Sequence, residues 1–220
     1  MDDNNVFIAM VFALALAFVA ARAWAHGDHP HDSVRATPPA VQARPLKLGE
    51  TVLVDQDGRK LHLASEAVGD KVVVATFVYT QCADTCPMVS HTFSELQRAL
   101  GPLMEHQVRL LSLTVDPAHD TPERLKSYAA NFDAGPGWLW LTGEAPAVTQ
   151  ALKAFGVHVS RPENHPVVVV VGDPRTGRWL RLHDIDSPRL LVDKVAELLA
   201  ARSQAAQSLS LEPSLPKEPS

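Results

Sequence analysis

The sequence predicts an α/β fold, a central sheet flanked by helices, with a β-hairpin extension on its N-terminal side. Strand-like and helix-like segments alternate from residue 72 to residue 201, which is the pattern of a sheet with helices on both faces. Two of the strands, residues 72–78 and 167–171, are almost wholly apolar. A strand with one wet face alternates polar and apolar residues, whereas one covered on both sides needs no polar positions.

The elements follow in order. Residues 51–54 and 60–63 flank Asp57-Gly58, a turn dipeptide, and form the hairpin. Residues 72–78 are the first buried strand. Pro87 opens a helix to residue 100, whose Val89, Phe93, Leu96 and Leu100 recur with helical spacing. Residues 108–115 are a strand, and 122–130 a helix capped by Asp120 or Thr121. Residues 138–141 form a short strand containing Trp138 and Trp140, followed by a helix at 146–155. The apolar strand 167–171 then turns through residues 173–177 into a strand at 178–182, and a helix over 188–201 closes the fold.

Both ends differ in composition from this core. Residues 6–21 are a sixteen-residue apolar run, followed by Arg22 and the small-x-small triplet Ala23-Trp24-Ala25. Residues 1–25 therefore read as a signal peptide or a short membrane anchor, since sixteen residues fall short of the roughly 20 that span a bilayer. Asp2 and Asp3 stand where such a leader usually carries positive charge. Residues 26–45 hold His26, His29, His31 and four prolines and read as a flexible linker. Residues 203–220, rich in Ser, Gln and Pro, read as a disordered tail. One domain, 46–202, remains, and an apolar content of 46 % suffices for its single core. A net charge of −5 with no block of Lys or Arg excludes a nucleic-acid partner, because phosphate binding needs clustered positive charge.

Cys82 and Cys86 are the only cysteines, and they lie at the turn from the first buried strand into the first helix. Free N–H groups and partial positive charge at a helix start favour a thiolate, which is both a nucleophile and a soft-metal ligand. A structural disulfide or two inert thiols is the competing reading. At four-residue spacing the two sulfurs can share one side of a helical turn. Met88 reads as packing, with a soft auxiliary contact beside Cys86 as the alternative; Asp116 reads as the end of a strand, and Asp120 and Glu123 as carboxylates satisfying the N–H groups of the helix at 122. His62, His91, His106, His119, His158 and His183 read as surface or supporting residues, with His183 the best reserve ligand. His26, His29 and His31 read as solvated linker, with a secondary copper site as the alternative.

The segment Tyr79-Thr80-Gln81-Cys82-Ala83-Asp84-Thr85-Cys86-Pro87, followed by Thr114-Val115-Asp116-Pro117-Ala118-His119-Asp120-Thr121-Pro122-Glu123, resembles the signatures of the Sco/SenC family of copper-binding proteins. The resemblance covers roughly residues 48–199 and implies a thioredoxin-like sheet. It also implies copper, and a third ligand at His165 in Glu163-Asn164-His165-Pro166-Val167. The family commonly has Asp-His-Ser there, so both flanking residues depart from the pattern. In thioredoxin-like folds a cis-proline faces the cysteines near this point, which directs attention to the His165-Pro166 bond.

Two thiolates and an imidazole suit Cu(I), while Cu(II) calls for a fourth ligand such as water or Asp84. The function implied is a metallochaperone that delivers copper to an exported partner, the binuclear copper centre of cytochrome c oxidase subunit II. The alternative is a thiol-disulfide oxidoreductase, with Cys82 and Cys86 as the catalytic pair, that reduces the partner's cysteines. A peroxide-reducing enzyme is a weaker third reading, for which Arg161 is the only nearby arginine. The location implied is the cell envelope on the periplasmic side, either free or anchored to the inner membrane.

Overall fold

The computed structural model describes residues 41–43, 46–183 and 187–210. Among these residues, eight strands build one sheet: β1 (Val41–Ala43), β2 (Val52–Asp55), β3 (Lys60–His62), β4 (Val72–Val78), β5 (Val108–Thr114), β6 (Trp138–Thr142), β7 (Val168–Asp173) and β8 (Arg178–His183). Their order across the sheet is β1-β8-β7-β4-β5-β6-β2-β3. Strands β4, β5 and β6 run parallel, whereas β7 is antiparallel to β4, β8 to β7, and β2 to β6. The helices are α1 (Thr85–Leu100), α2 (Leu103–His106), α3 (Pro122–Ala130), α4 (Ala145–Ala154) and α5 (Pro188–Ser210).

The pleat of β4 divides the core in two. Val72, Val74 and Val78 meet Phe93 and Leu96 of α1, Leu125 of α3, and Leu191, Val195 and Leu198 of α5. Val73, Ala75 and Phe77 point to the other side, toward Val148, Ala151 and Leu152 of α4 and a π-helical turn at Leu63–Val68. Every residue of β4 is buried, which explains why its sequence shows no alternation. The predicted α/β class and the hairpin β2–β3 are both present.

The tails depart from expectation. The linker predicted over 26–45 contains β1, which pairs with β8 in the register Val41↔Leu182 to Ala43↔Leu180 and covers what would otherwise be the edge of the sheet. Three residues are too few to show an alternating pattern. The tail predicted from 203 begins as helix, because α5 continues to Ser210. Ala and Gln favour helix there, and Arg202 anchors this stretch through Asp173 at the end of β7, donating at 2.6 and 3.1 Å. The leader expected at 1–25 lies outside the described residues. Among those described, no helix is long and apolar enough to cross a membrane.

The topology sets the position of the site. The carboxyl ends of β4 and β5 lie side by side, with Val78 opposite Thr114 and the Val115 N–H donating to the Val78 carbonyl at 2.8 Å. Because β7 runs antiparallel to β4, with Thr76 opposite Val169, the chain entering β7 passes the same end. Residues 79–86, 115–121 and 162–167 therefore gather at one edge of the sheet.

Candidate metal centre

Cys82 closes a tight turn after β4, its N–H donating to the Tyr79 carbonyl at 3.2 Å. Helix α1 begins at Thr85, two residues earlier than its proline suggests, so Cys86 falls in the first turn. The first N–H groups of a helix have no partner within it. Asp84 occupies the capping position and makes no side-chain bond there. Instead the Cys86 N–H donates to the Cys82 sulfur at 3.3 Å, and the Thr85 hydroxyl lies 3.9 Å from it. Cys82 thus serves as the helix cap, a role that rewards negative charge on sulfur.

The two thiols are consequently unequal. Burial works to raise Cys82, but donation from the Cys86 thiol and from the backbone of Cys86 and Asp84 outweighs it, and the thiol lies below its ordinary value. Cys86, only 2 % exposed, is pushed up to about 12 by burial and by its bond to Cys82, with the charges of Cys82 and Asp120 adding to the effect. Neither cysteine is in a disulfide. A proton is thus lost more easily from Cys82 than from Cys86.

His165 is half-buried directly after a 3₁₀ turn at Pro162–Asn164. Its Nδ1 lies 2.7 Å from the Pro162 carbonyl. A carbonyl only accepts, so Nδ1 carries the proton and the lone pair of the neutral ring is on Nε2. The ring stands edge-on to Tyr79 at 5.7 Å. Tyr79 is in turn raised above its ordinary value by burial, by the charge of Cys82 and by a hydrogen bond to Cys82. The geometry therefore brings Cys82 and Cys86 into direct contact and sets His165 one aromatic ring away. Among the described residues, no three His, Cys, Asp or Glu side chains converge closely enough to hold a metal ion. No peptide bond is cis among the described residues, so His165-Pro166 is trans.

Other expectations change as well. Of the two caps expected for α3, Asp120 or Thr121, it is Thr121 that caps the helix, its hydroxyl accepting the Arg124 N–H at 3.3 Å. Asp120 instead turns inward and is 0 % exposed. It accepts the Thr80 N–H at 3.2 Å, the Thr80 hydroxyl at 2.6 Å and the Thr114 hydroxyl at 2.6 Å. Local pattern cannot show this contact, because Thr80 is 40 residues away. Glu123 does serve the helix start, lowered by its own backbone N–H and by Thr121. Met88 is not packing, since it lies on the outer side of the first turn of α1 and is 65 % exposed.

His62, His91 and His119 sit against Glu66, Glu95 and Asp116. His183 lies opposite Val168 in the β7–β8 register. Arg161 lines a cavity of about 440 Å³ with Lys153 and His158, and neither cysteine is among its lining residues.

A family profile described as SCO1/SenC matches residues 41–200. The chain belongs to the SCO1/SenC family. The SCO1 protein homolog of Bacillus subtilis (strain 168) is 34 % identical over 118 residues, covering 52 % of this chain and 60 % of that protein. The chain thus spans about half to three fifths of the length of the first curated relatives it matches. Among solved structures, BsSco, described with a disulfide switch and as a member of the Sco family of cytochrome c oxidase assembly proteins, has a TM-score of 0.59. It is 27 % identical, covering 71 % of this chain and 95 % of that one. Yeast Sco1 with copper bound has a TM-score of 0.59 at 26 % identity, covering 70 % and 89 %. The family match at 41–200 takes in both signature segments, and the fold of this SCO1/SenC member is, like those of these neighbours, thioredoxin-like.

Proposed function

We propose that this SCO1/SenC member binds Cu(I) through Cys82, Cys86 and His165. It would deliver the ion to an exported partner, the binuclear copper centre of cytochrome c oxidase subunit II. The observation that carries this reading is the donor set itself: two adjoining cysteines, the first with its sulfur bonded to the N–H of the second, and an imidazole edge-on to Tyr79 with its Nε2 lone pair left free by the bond at Nδ1. Soft thiolates with a neutral imidazole suit Cu(I). Cys82 is the entry ligand, because its sulfur already favours negative charge. Binding displaces the proton of Cys86. His165 completes the set by moving past the edge of Tyr79, so the site closes around its cargo rather than waiting preformed. An apolar leader at 6–21 fits work in the cell envelope, on the periplasmic side, either free or anchored to the inner membrane.

The inequality of the thiols favours a second reading, disulfide reduction. Cys82 thiolate would attack a disulfide sulfur of the partner, forming a mixed disulfide and releasing one partner thiolate. Cys86, losing its proton, would attack the Cys82 sulfur and free the second partner thiolate, leaving Cys82–Cys86 oxidised and the partner reduced. A transfer assay separates the two. The copper-loaded chain is mixed with the metal-free, pre-reduced soluble copper domain of a cytochrome c oxidase subunit II. Copper is expected to move to that domain, and Cys86→Ser to abolish loading. Failure to transfer, together with reduction of the same domain supplied in its disulfide form, would replace the first reading by the second.

A further inference from the structure

Asp120 is a buried carboxylate with no ion-pair partner among the described residues. A charge taken out of water without a counter-ion is a poor device for stability, so its worth is to be sought in what it holds in place. It holds two strand ends. Through Thr114 it is tied to the last residue of β5, and through both the N–H and the hydroxyl of Thr80 it grips the turn after β4. Thr80 is the second residue of the Tyr79-to-Cys82 turn, and Arg124 of α3 donates to its hydroxyl at 3.2 Å from the other side. Cys82 ends that turn and its sulfur caps α1 at Cys86. A continuous chain of bonds therefore runs from Thr114 through Asp120 and Thr80 to the turn that sets the sulfur of Cys82.

We propose that Asp120 is a positioning residue for the thiol pair, holding the Cys82 turn through Thr80 so that the two sulfurs keep one mutual geometry. This rests on the pair being the reacting centre, which both readings above share. Neither alternative use of the side chain accounts for it, since Thr121 caps α3 and no cation pairs with Asp120 among the described residues.

The test uses the full chain with His26, His29 and His31 changed to Ala, so that the linker imidazoles do not compete for metal. Asp120→Ala, Thr80→Val and the double variant are compared in two assays, a Cu(I) competition titration and the equilibrium constant of the Cys82–Cys86 disulfide with glutathione. Asp120→Ala is expected to lower Cu(I) affinity by about 10- to 100-fold, the usual effect of removing a residue that orients a ligand. It should also move the glutathione equilibrium. In the double variant the two effects should fall short of multiplying by about fivefold, because both substitutions break one chain. Thr121→Ala, which removes the α3 cap, should lower the melting temperature and leave both assays within about twofold.

If Asp120→Ala changes only the melting temperature, or if its effects multiply independently with those of Thr80→Val, the proposal is overturned. Should the parent not bind Cu(I), the copper reading fails by itself and the glutathione equilibrium still decides the role of Asp120. If Asp120→Ala does not fold, Thr114→Val removes one donor from the same carboxylate and carries the same comparison.

Discussion

Cys82 and Cys86 differ because only one of them sits where a helix start supplies donors. The sulfur of Cys82 receives them and falls below its ordinary value, while Cys86, enclosed by the core, is pushed up to about 12. At pH 8 iodoacetamide should therefore modify Cys82 well before Cys86, as read by peptide mass spectrometry, and equal rates would contradict the capping geometry.

The same inequality has a sign in stability. A thiol raised from 9.0 to about 12 on folding costs nothing while both states are protonated, below 9. Between 9 and 12 the unfolded chain releases a proton that the folded chain keeps, and stability falls. The melting temperature should drop more steeply over that window in the parent than in Cys86→Ala. Cys82, lowered on folding, contributes in the opposite sense: its share is present above its unfolded value and disappears as pH falls through the folded one. The cysteine pair was legible in the sequence because its spacing and its strand-to-helix setting are local. Asp120 was not, because its partners Thr80 and Thr114 come from the ends of two different strands. Local pattern offered only the nearby helix as its use. Met88 was misread for a related reason, since apolar character says nothing about which side of a first turn a residue occupies.

At the scale of elements, the strands and longer helices follow the sequence closely where a core face enforces periodicity, as in β4 and α1. They depart from it where a single long-range bond decides. The case in point is α5, whose last turns hold through Arg202 on Asp173. That carboxylate is fully buried and also accepts the Arg175 N–H at 2.9 Å. Burial acts to raise Asp173, yet the bond and charge of Arg202, the Arg175 N–H and the Thr176 hydroxyl together outweigh it and leave the carboxyl below its ordinary 3.8. Its contribution to stability is thus present above 3.8 and lost as pH falls below that value. Arg202→Ala strands the carboxylate and should cost about 3 kcal/mol in urea unfolding near neutral pH, at the low end for a broken buried pair because backbone donors remain. In an acid titration the variant should lose less stability below 3.8 than the parent, because its carboxyl is no longer held below the ordinary value by Arg202. A cost below about 0.5 kcal/mol would mean that the extension of α5 is not held in this way.

For the molecule as a whole, the decisive fact is the direction of β7. A parallel β7 would begin at the opposite edge of the sheet and carry His165 away from the cysteines; running antiparallel to β4, it starts beside the turn that carries them. The sequence contained the segments of this arrangement but not their pairing, and the assignment of His165 came from resemblance rather than from periodicity. The order of the sheet brings the segment that carries His165 to the end that carries the cysteines, and the imidazole stands edge-on to Tyr79 there.

The central claim is that all three residues act on one ion. Its most direct test is an anaerobic Cu(I) competition titration of the full chain, with His26, His29 and His31 changed to Ala, beside the same chain carrying His165→Ala. The account predicts one tightly held copper in the first. In the second it predicts an affinity loss at least as large as the roughly 10- to 100-fold that removal of a supporting residue brings. Equal affinity in the two chains would contradict it, leaving Cys82 and Cys86 to bind or react without His165.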